Sequence, residues 1–201
     1  NLLGDVFIGP CDEVVMSSVP YQQYPMLVKR NGATPVQVPV FDDLSQNLEG
    51  MLAAVTNRTK LLMVCNPGNP TSIAENSDRL EAFIRRVPEH VLVMIDEAYL
   101  DFVDDPEKSR SMMGLVAEIP NLVVVRTFSK LYAMAGMRVG FMVASPSVVT
   151  CVSRGGTVGN VNQLGLAAAT AALSDLEHER FVLEGIRAGK RYLTSVLEGC
   201  G

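Results

Sequence analysis

The chain has 201 residues, 48% of them apolar and 19% charged, which is enough for a sizeable core in one large or two small domains. Its net charge of −5 speaks against the basic face that nucleic acid or an anionic membrane surface would demand. Four cysteines (Cys11, Cys65, Cys151, Cys200) stand far apart with no CxxC pair and no Cys/His ligand spacing, so neither a metal site nor a disulfide framework is expected.

The chain opens on Asn1-Leu2-Leu3 with no cap, turn or signal-peptide pattern. Apolar runs follow at residues 14–16, 36–40, 61–65, 91–95, 122–125 and 139–143. They are aliphatic at successive positions, the pattern of strands covered on both faces. Between them, residues 44–55 and 112–118 carry weak helical patterns. Residues 76–87 carry a strong one: Leu80, Phe83, Ile84 and Val87 fall on one helical face, Asn76, Ser77 and Asp78 offer cap chemistry, and Pro88 stops it. Residues 161–197 read as two helices broken near Ser174-Asp175. The most apolar part, around Leu164 to Leu173, is too short to span a bilayer, so no membrane partner is expected and the cytoplasm is the expected compartment. The chain stops at Gly201 directly after a helical pattern, and both ends read as cut. Strand and helix in alternation imply an α/β fold: a mainly parallel sheet sandwiched by helices, in one domain over residues 1–201.

Ligands of such sheets bind beyond the carboxyl ends of the strands. Three of those places stand out. After 61–65 comes Asn66-Pro67-Gly68-Asn69-Pro70-Thr71-Ser72, a tight loop that leaves the Asn69 amide to project at the sheet edge. After 91–95 comes Asp96-Glu97-Ala98-Tyr99, and an acid at the end of a buried strand needs a cationic or donor partner. After 122–125 come Arg126-Thr127-Phe128-Ser129-Lys130 and then Ala135-Gly136-Met137-Arg138-Val139-Gly140. An amine at such a place is suited to Schiff-base formation, and the hydroxyls with Arg138 are suited to a phosphate. Each motif alone has an ordinary structural explanation. The set of amide, carboxylate with phenol, and amine with phosphate donors is the set that pyridoxal phosphate requires. No GxGxxG or GxxxxGK[ST] loop supports a nucleotide-binding reading instead.

On these three motifs the chain resembles the fold-type I pyridoxal-phosphate aminotransferases, nearest the histidinol-phosphate branch and its aromatic amino acid relatives. Lys130 would be the Schiff-base lysine and the catalytic base. Asp96 would pair with the ring nitrogen, Asn69 and Tyr99 would hydrogen-bond the ring hydroxyl, and Ser129, Arg138 and Thr127 would hold the phosphate. Tyr21, in Pro20-Tyr21-Gln22-Gln23-Tyr24, matches the residue that stacks on the ring. Ser72 and Gly68 depart from the family loop, which more often has Gly and Asn there. The resemblance implies transamination of histidinol phosphate with 2-oxoglutarate, or else of an aromatic amino acid, by a homodimer. It also implies that the family's N-terminal arm and small domain lie outside this sequence, with residues from about 175 onward forming a helix that leads toward the latter. A truncated cofactor-binding module without turnover is the alternative of another class. His90 and His178 are expected to be solvent-exposed bystanders.

Overall fold

The computed structural model describes residues 2–155 and 161–200. They divide into two compact units: residues 2–126 with 141–155, and residues 127–140 with 161–200.

The first unit is built on the sheet. In chain order it holds α1 (Leu2–Phe7), β1 (Glu13–Ser17), α2 (Gln23–Arg30), β2 (Thr34–Val38), α3 (Leu48–Ala53), β3 (Thr59–Cys65), α4 (Ser77–Ile84), β4 (Leu92–Asp96), β5 (Leu122–Thr127), β6 (Gly140–Ala144) and α5 (Pro146–Gly155). The six strands lie in the order β2-β1-β3-β4-β5-β6. The pairs β1–β2, β1–β3, β3–β4 and β4–β5 are parallel. The strand period of two explains why the runs are apolar throughout. Val15, Leu62, Val64, Val93, Ile95 and Val124 face one cluster, which also takes Leu80, Phe83 and Ile84 of α4. Val14, Met16, Leu61, Met63, Met94 and Val123 face the other, with Leu27 and Val28 of α2 and Val148 and Val152 of α5. Each fully buried aliphatic side chain contributes about 1.5–3 kcal/mol, so the central strands hold the unit together.

All six expected strands form, with β2 lying two residues earlier than its apolar run. Asn76 is the cap of α4: its side chain accepts from the Asp78 and Arg79 amides at 3.0 and 3.1 Å. The weak pattern at 44–55 resolves into the short α3, capped by Asn47, whose side chain accepts from Gly50 N at 2.8 Å. The pattern at 112–118 forms a 3-10 turn over Met112–Leu115 rather than an α-helix, started by Ser111, whose Oγ accepts from Met113 N.

The second unit holds a loop closed by a 3-10 turn, Ala135–Met137, and two helices, α6 (Gln163–Ala172) and α7 (Leu176–Glu198). Its apolar centre is Phe128, Val139 and Ala169, with Tyr132 and Met134 packed on it. The break between the helices falls at Ser174-Asp175, as the sequence predicts, and the Asp175 side chain caps α7 by accepting from His178 N at 3.0 Å. His178 is half-buried and its Nε2 has no hydrogen-bond partner among the described residues, so it is not the exposed bystander expected; His90 is exposed. Among the described residues no helix is long and apolar enough to cross a membrane.

Candidate functional site

The strand order places β2 on one side of β1 and β3 to β6 on the other, so the direction of winding changes between β1 and β3. At such a switch point the connections leave in opposite directions and open a crevice beyond the strand ends. A pocket lies there, lined by Ser17, Pro20, Tyr24, Cys65, Asn69 and Thr71 among others.

The loop after β3 is fixed from below by a buried polar network. The Asn66 amide donates to the Asp96 carbonyl at 2.9 Å, and its side-chain oxygen accepts from Glu75 N at 2.8 Å. Glu75 in turn accepts from Gln46 N at 2.8 Å and pairs with Arg79 at 3.1 Å, while Gln46 Nε2 donates to the Cys65 carbonyl at 3.0 Å. Gln46, Asn66 and Glu75 are all buried, and these bonds offset the loss of water. Gly68 N donates to the Ile73 carbonyl and Ser72 N to the Gly68 carbonyl, both at 2.8 Å. A Cβ at Gly68 would lie 2.2 Å from Thr71 Oγ1, so a side chain there requires that hydroxyl to turn away. The bonds before Pro67 and Pro70 are both cis. Ser72 has φ 59, the left-handed conformation that glycine adopts more readily. Asn69 Nδ2 donates to Tyr99 Oη at 3.2 Å.

Asp96 is the last residue of β4 and pairs in register with Cys65 of β3. Its Oδ1 accepts from Ala98 N at 3.0 Å and its Oδ2 from Tyr24 Oη at 2.7 Å. Tyr24 comes from the first turn of α2 and is 7% exposed. Burial, and then the neighbouring Asp96 carboxylate, push its phenol well above the usual tyrosine range, so it stays a donor. Burial and the same carboxylate push the Cys65 thiol up to about 12. Tyr24 lines the pocket and is a residue there that the sequence reading passes over. Its signal is the spacing Tyr21-Gln22-Gln23-Tyr24, with Leu27 and Val28 continuing one helical face into the core. Tyr21 itself is 36% exposed and meets Tyr24 edge-on, with ring centroids 5.6 Å apart.

Glu97, next to Asp96, points elsewhere. It is 1% exposed and accepts from Ser111 Oγ and Met112 N, both at 2.7 Å. Burial outweighs those donors and raises its carboxyl above the ordinary glutamate value. Asp101 and Arg126 form an ion pair close by in sequence to the two motifs.

In the second unit, Thr127 Oγ1 donates to Ser129 Oγ at 2.9 Å and accepts from Ser129 N at 3.0 Å. Phe128 N donates to the Val139 carbonyl at 3.1 Å, and Met134 N to the Phe128 carbonyl at 3.1 Å. These bonds fold residues 127–139 into a closed loop. Lys130 and Arg138 are exposed on it. Arg138 has φ 56, and its guanidinium donates to the Ala135 carbonyl at 2.7 Å. Among the described residues no cluster of His, Cys, Asp and Glu could hold a metal ion.

Comparison with known proteins agrees with this set of motifs. The family profile of aminotransferase class I and II matches residues 2–201. Histidinol-phosphate aminotransferase 1 of Nitrosococcus oceani is 40% identical over 98% of this chain and 52% of its own length. An aromatic amino acid aminotransferase of Mycobacterium bovis is 44% identical over 81% of this chain and 45% of its own. Among solved structures, histidinol-phosphate aminotransferase from Sinorhizobium meliloti in complex with pyridoxal-5'-phosphate superposes with a TM-score of 0.84 at 32% identity. That match covers 91% of this chain and 50% of the other. The chain thus spans about half the length of the curated relatives it matches. The fold-type I architecture and the motifs at its strand ends are those of one family, and the chain belongs to the class I and II aminotransferases.

Proposed function

We propose that this chain forms the cofactor-binding part of a pyridoxal-phosphate aminotransferase acting on histidinol phosphate and 2-oxoglutarate. The observation that carries the reading is Asp96: an acid at the end of a core strand whose two oxygens each accept a hydrogen bond, as an anion aimed at a cationic ring nitrogen should. The pairing of Asn69 with Tyr99 supports it, since an amide and a phenol together suit a ring hydroxyl. When bound, the cofactor supplies an electron sink for negative charge at the substrate Cα. Asp96 holds its ring nitrogen protonated, and Asn69 and Tyr99 orient the ring. Ser129, Arg138 and Thr127 bind the phosphate, and Tyr21 covers one face of the ring. Lys130 Nζ would hold the group and would move the proton at the substrate Cα. The same reading assigns residues 1–201 to one cofactor-binding domain of a cytoplasmic homodimer.

The second reading, an aromatic amino acid as donor, is favoured by the 44% identity to the Mycobacterium bovis enzyme. The test is an absorption spectrum of the purified protein with added pyridoxal phosphate, beside Lys130→Ala. A new band in the wild type that is lost in the variant supports cofactor and lysine together. An identical spectrum for the two proteins sinks the assignment of Lys130. Bleaching of the band by histidinol phosphate, but not by phenylalanine, separates the two donors.

A further inference from the structure

We infer that Glu75 is a positioning residue for the cofactor: its buried carboxylate clamps the base of the loop after β3, so that Asn69 is held where the ring hydroxyl meets it. This rests on the pyridoxal-phosphate reading above and adds to it a residue outside the three strand-end motifs.

Glu75 is 3% exposed, and three segments meet at this one residue. Its amide donates to Asn66 Oδ1 at 2.8 Å, which ties the end of the loop back to its first residue, nine positions earlier. Its Oε1 accepts from Gln46 N at 2.8 Å, just ahead of the Asn47 cap of α3. Its Oε2 accepts from Arg79 Nη1 at 3.1 Å, in the first turn of α4. A carboxylate taken out of water is stable only where donors replace that water, and an apolar residue would fill the same space without needing them. What the carboxylate adds is direction. Two donors from different elements fix its two oxygens, and with them the backbone that closes the loop. The clamp has a strained segment to hold. Ser72 has φ 59, a conformation that L side chains resist and that persists where the surroundings over-determine it. Asn69 lies between Asn66 and Ser72, and its amide reaches Tyr99 Oη from there. With the base released, Ser72 relaxes and the Asn69 amide moves off the Tyr99 hydroxyl, and so off the ring hydroxyl assigned to that pair.

The inference predicts a loss that depends on the ring hydroxyl. In the full-length protein, Glu75→Gln keeps the shape but offers one accepting oxygen to two donors. Its affinity for pyridoxal phosphate, read by fluorescence titration, should fall about tenfold, the scale of one lost hydrogen bond to a charged group. For 3-deoxypyridoxal phosphate, which carries hydrogen in place of the hydroxyl, its affinity should equal that of the wild type. In an Asn69→Ala background, Glu75→Gln should cause no further loss with either compound. Arg79→Met removes one of the two donors at an exposed position. It should show the same pattern to a smaller degree, and it carries the test if Glu75→Gln does not fold. Equal losses for both compounds would assign Glu75 a purely structural role and overturn the inference. So would a loss that persists in the Asn69→Ala background. Wild-type protein that binds pyridoxal phosphate with the Lys130-dependent band, beside a variant that binds it equally well, would overturn this inference alone. Wild-type protein that binds neither compound would overturn the cofactor reading and the inference with it.

Discussion

Two adjacent acids, Asp96 and Glu97, show how position within one turn decides chemistry. Asp96 ends β4 at the crevice, while Glu97 is turned into the core against Ser111 and Met112. The sequence alone distinguishes them only by which one closes the apolar run. The raised carboxyl of Glu97 has a consequence for stability. A folded-state value above the unfolded one gives a contribution that is fully present below the ordinary glutamate value. It is lost as pH rises through the raised value. Glu97→Gln, which keeps the shape and removes the charge, should therefore gain stability relative to wild type as pH rises over that window. Urea unfolding of both proteins at several pH values measures this, and a gap independent of pH would show that the buried acid carries no such cost. The positions of Lys130, Asn69 and Tyr99 beyond strand ends were legible because each lies within a distinctive motif. The contact of Tyr24 with Asp96 was not legible, because it spans 72 residues that no local pattern encodes.

At the level of elements, legibility followed the strength of the local signal. The strong period of residues 76–87 gave α4 its start, with Asn76 as the cap, but the helix ends at Ile84, three residues before the expected end. Asn76→Ala should cost about 1 kcal/mol of stability, since it leaves the Asp78 and Arg79 amides without their side-chain acceptor. A denaturation midpoint equal to wild type would mean that water serves those amides as well. The weaker pattern at 112–118 gave the right place and the wrong helix type. Gly114 sits inside that segment, and Glu97 takes the Met112 amide, so the chain turns tightly and stops. Helices α1, α2 and α5 have no expectation behind them in the sequence reading. They are short, and α2 and α5 carry a proline in the first turn, where it is tolerated but reads as a breaker. Their apolar faces are two or three residues wide, such as Val148 with Val152, so packing against the sheet rather than periodicity defines them.

For the whole molecule, the alternation of apolar runs and helical segments was sufficient to give a parallel sheet, but not the order of its strands. That order is set by long-range pairing, and the crevice between β1 and β3 follows from it. The four cysteines report on the same architecture. Cys11, Cys151 and Cys200 are exposed, while Cys65 is buried at the end of β3 with its thiol pushed up to about 12. A thiol reagent should therefore label the first three rapidly in the native protein and Cys65 only on unfolding. Rapid labelling of Cys65 would mean that the crevice floor opens readily.

The Asn66 amide donates to the Asp96 carbonyl, and the Glu97 amide to the Val125 carbonyl. The loop that carries Asn69 and the strand end that carries Asp96 are thereby joined through main chain as well as through side chains. These main-chain bonds set the interval between the two backbones from which the amide and the carboxylate project. The sheet acts here as a gauge block for that interval.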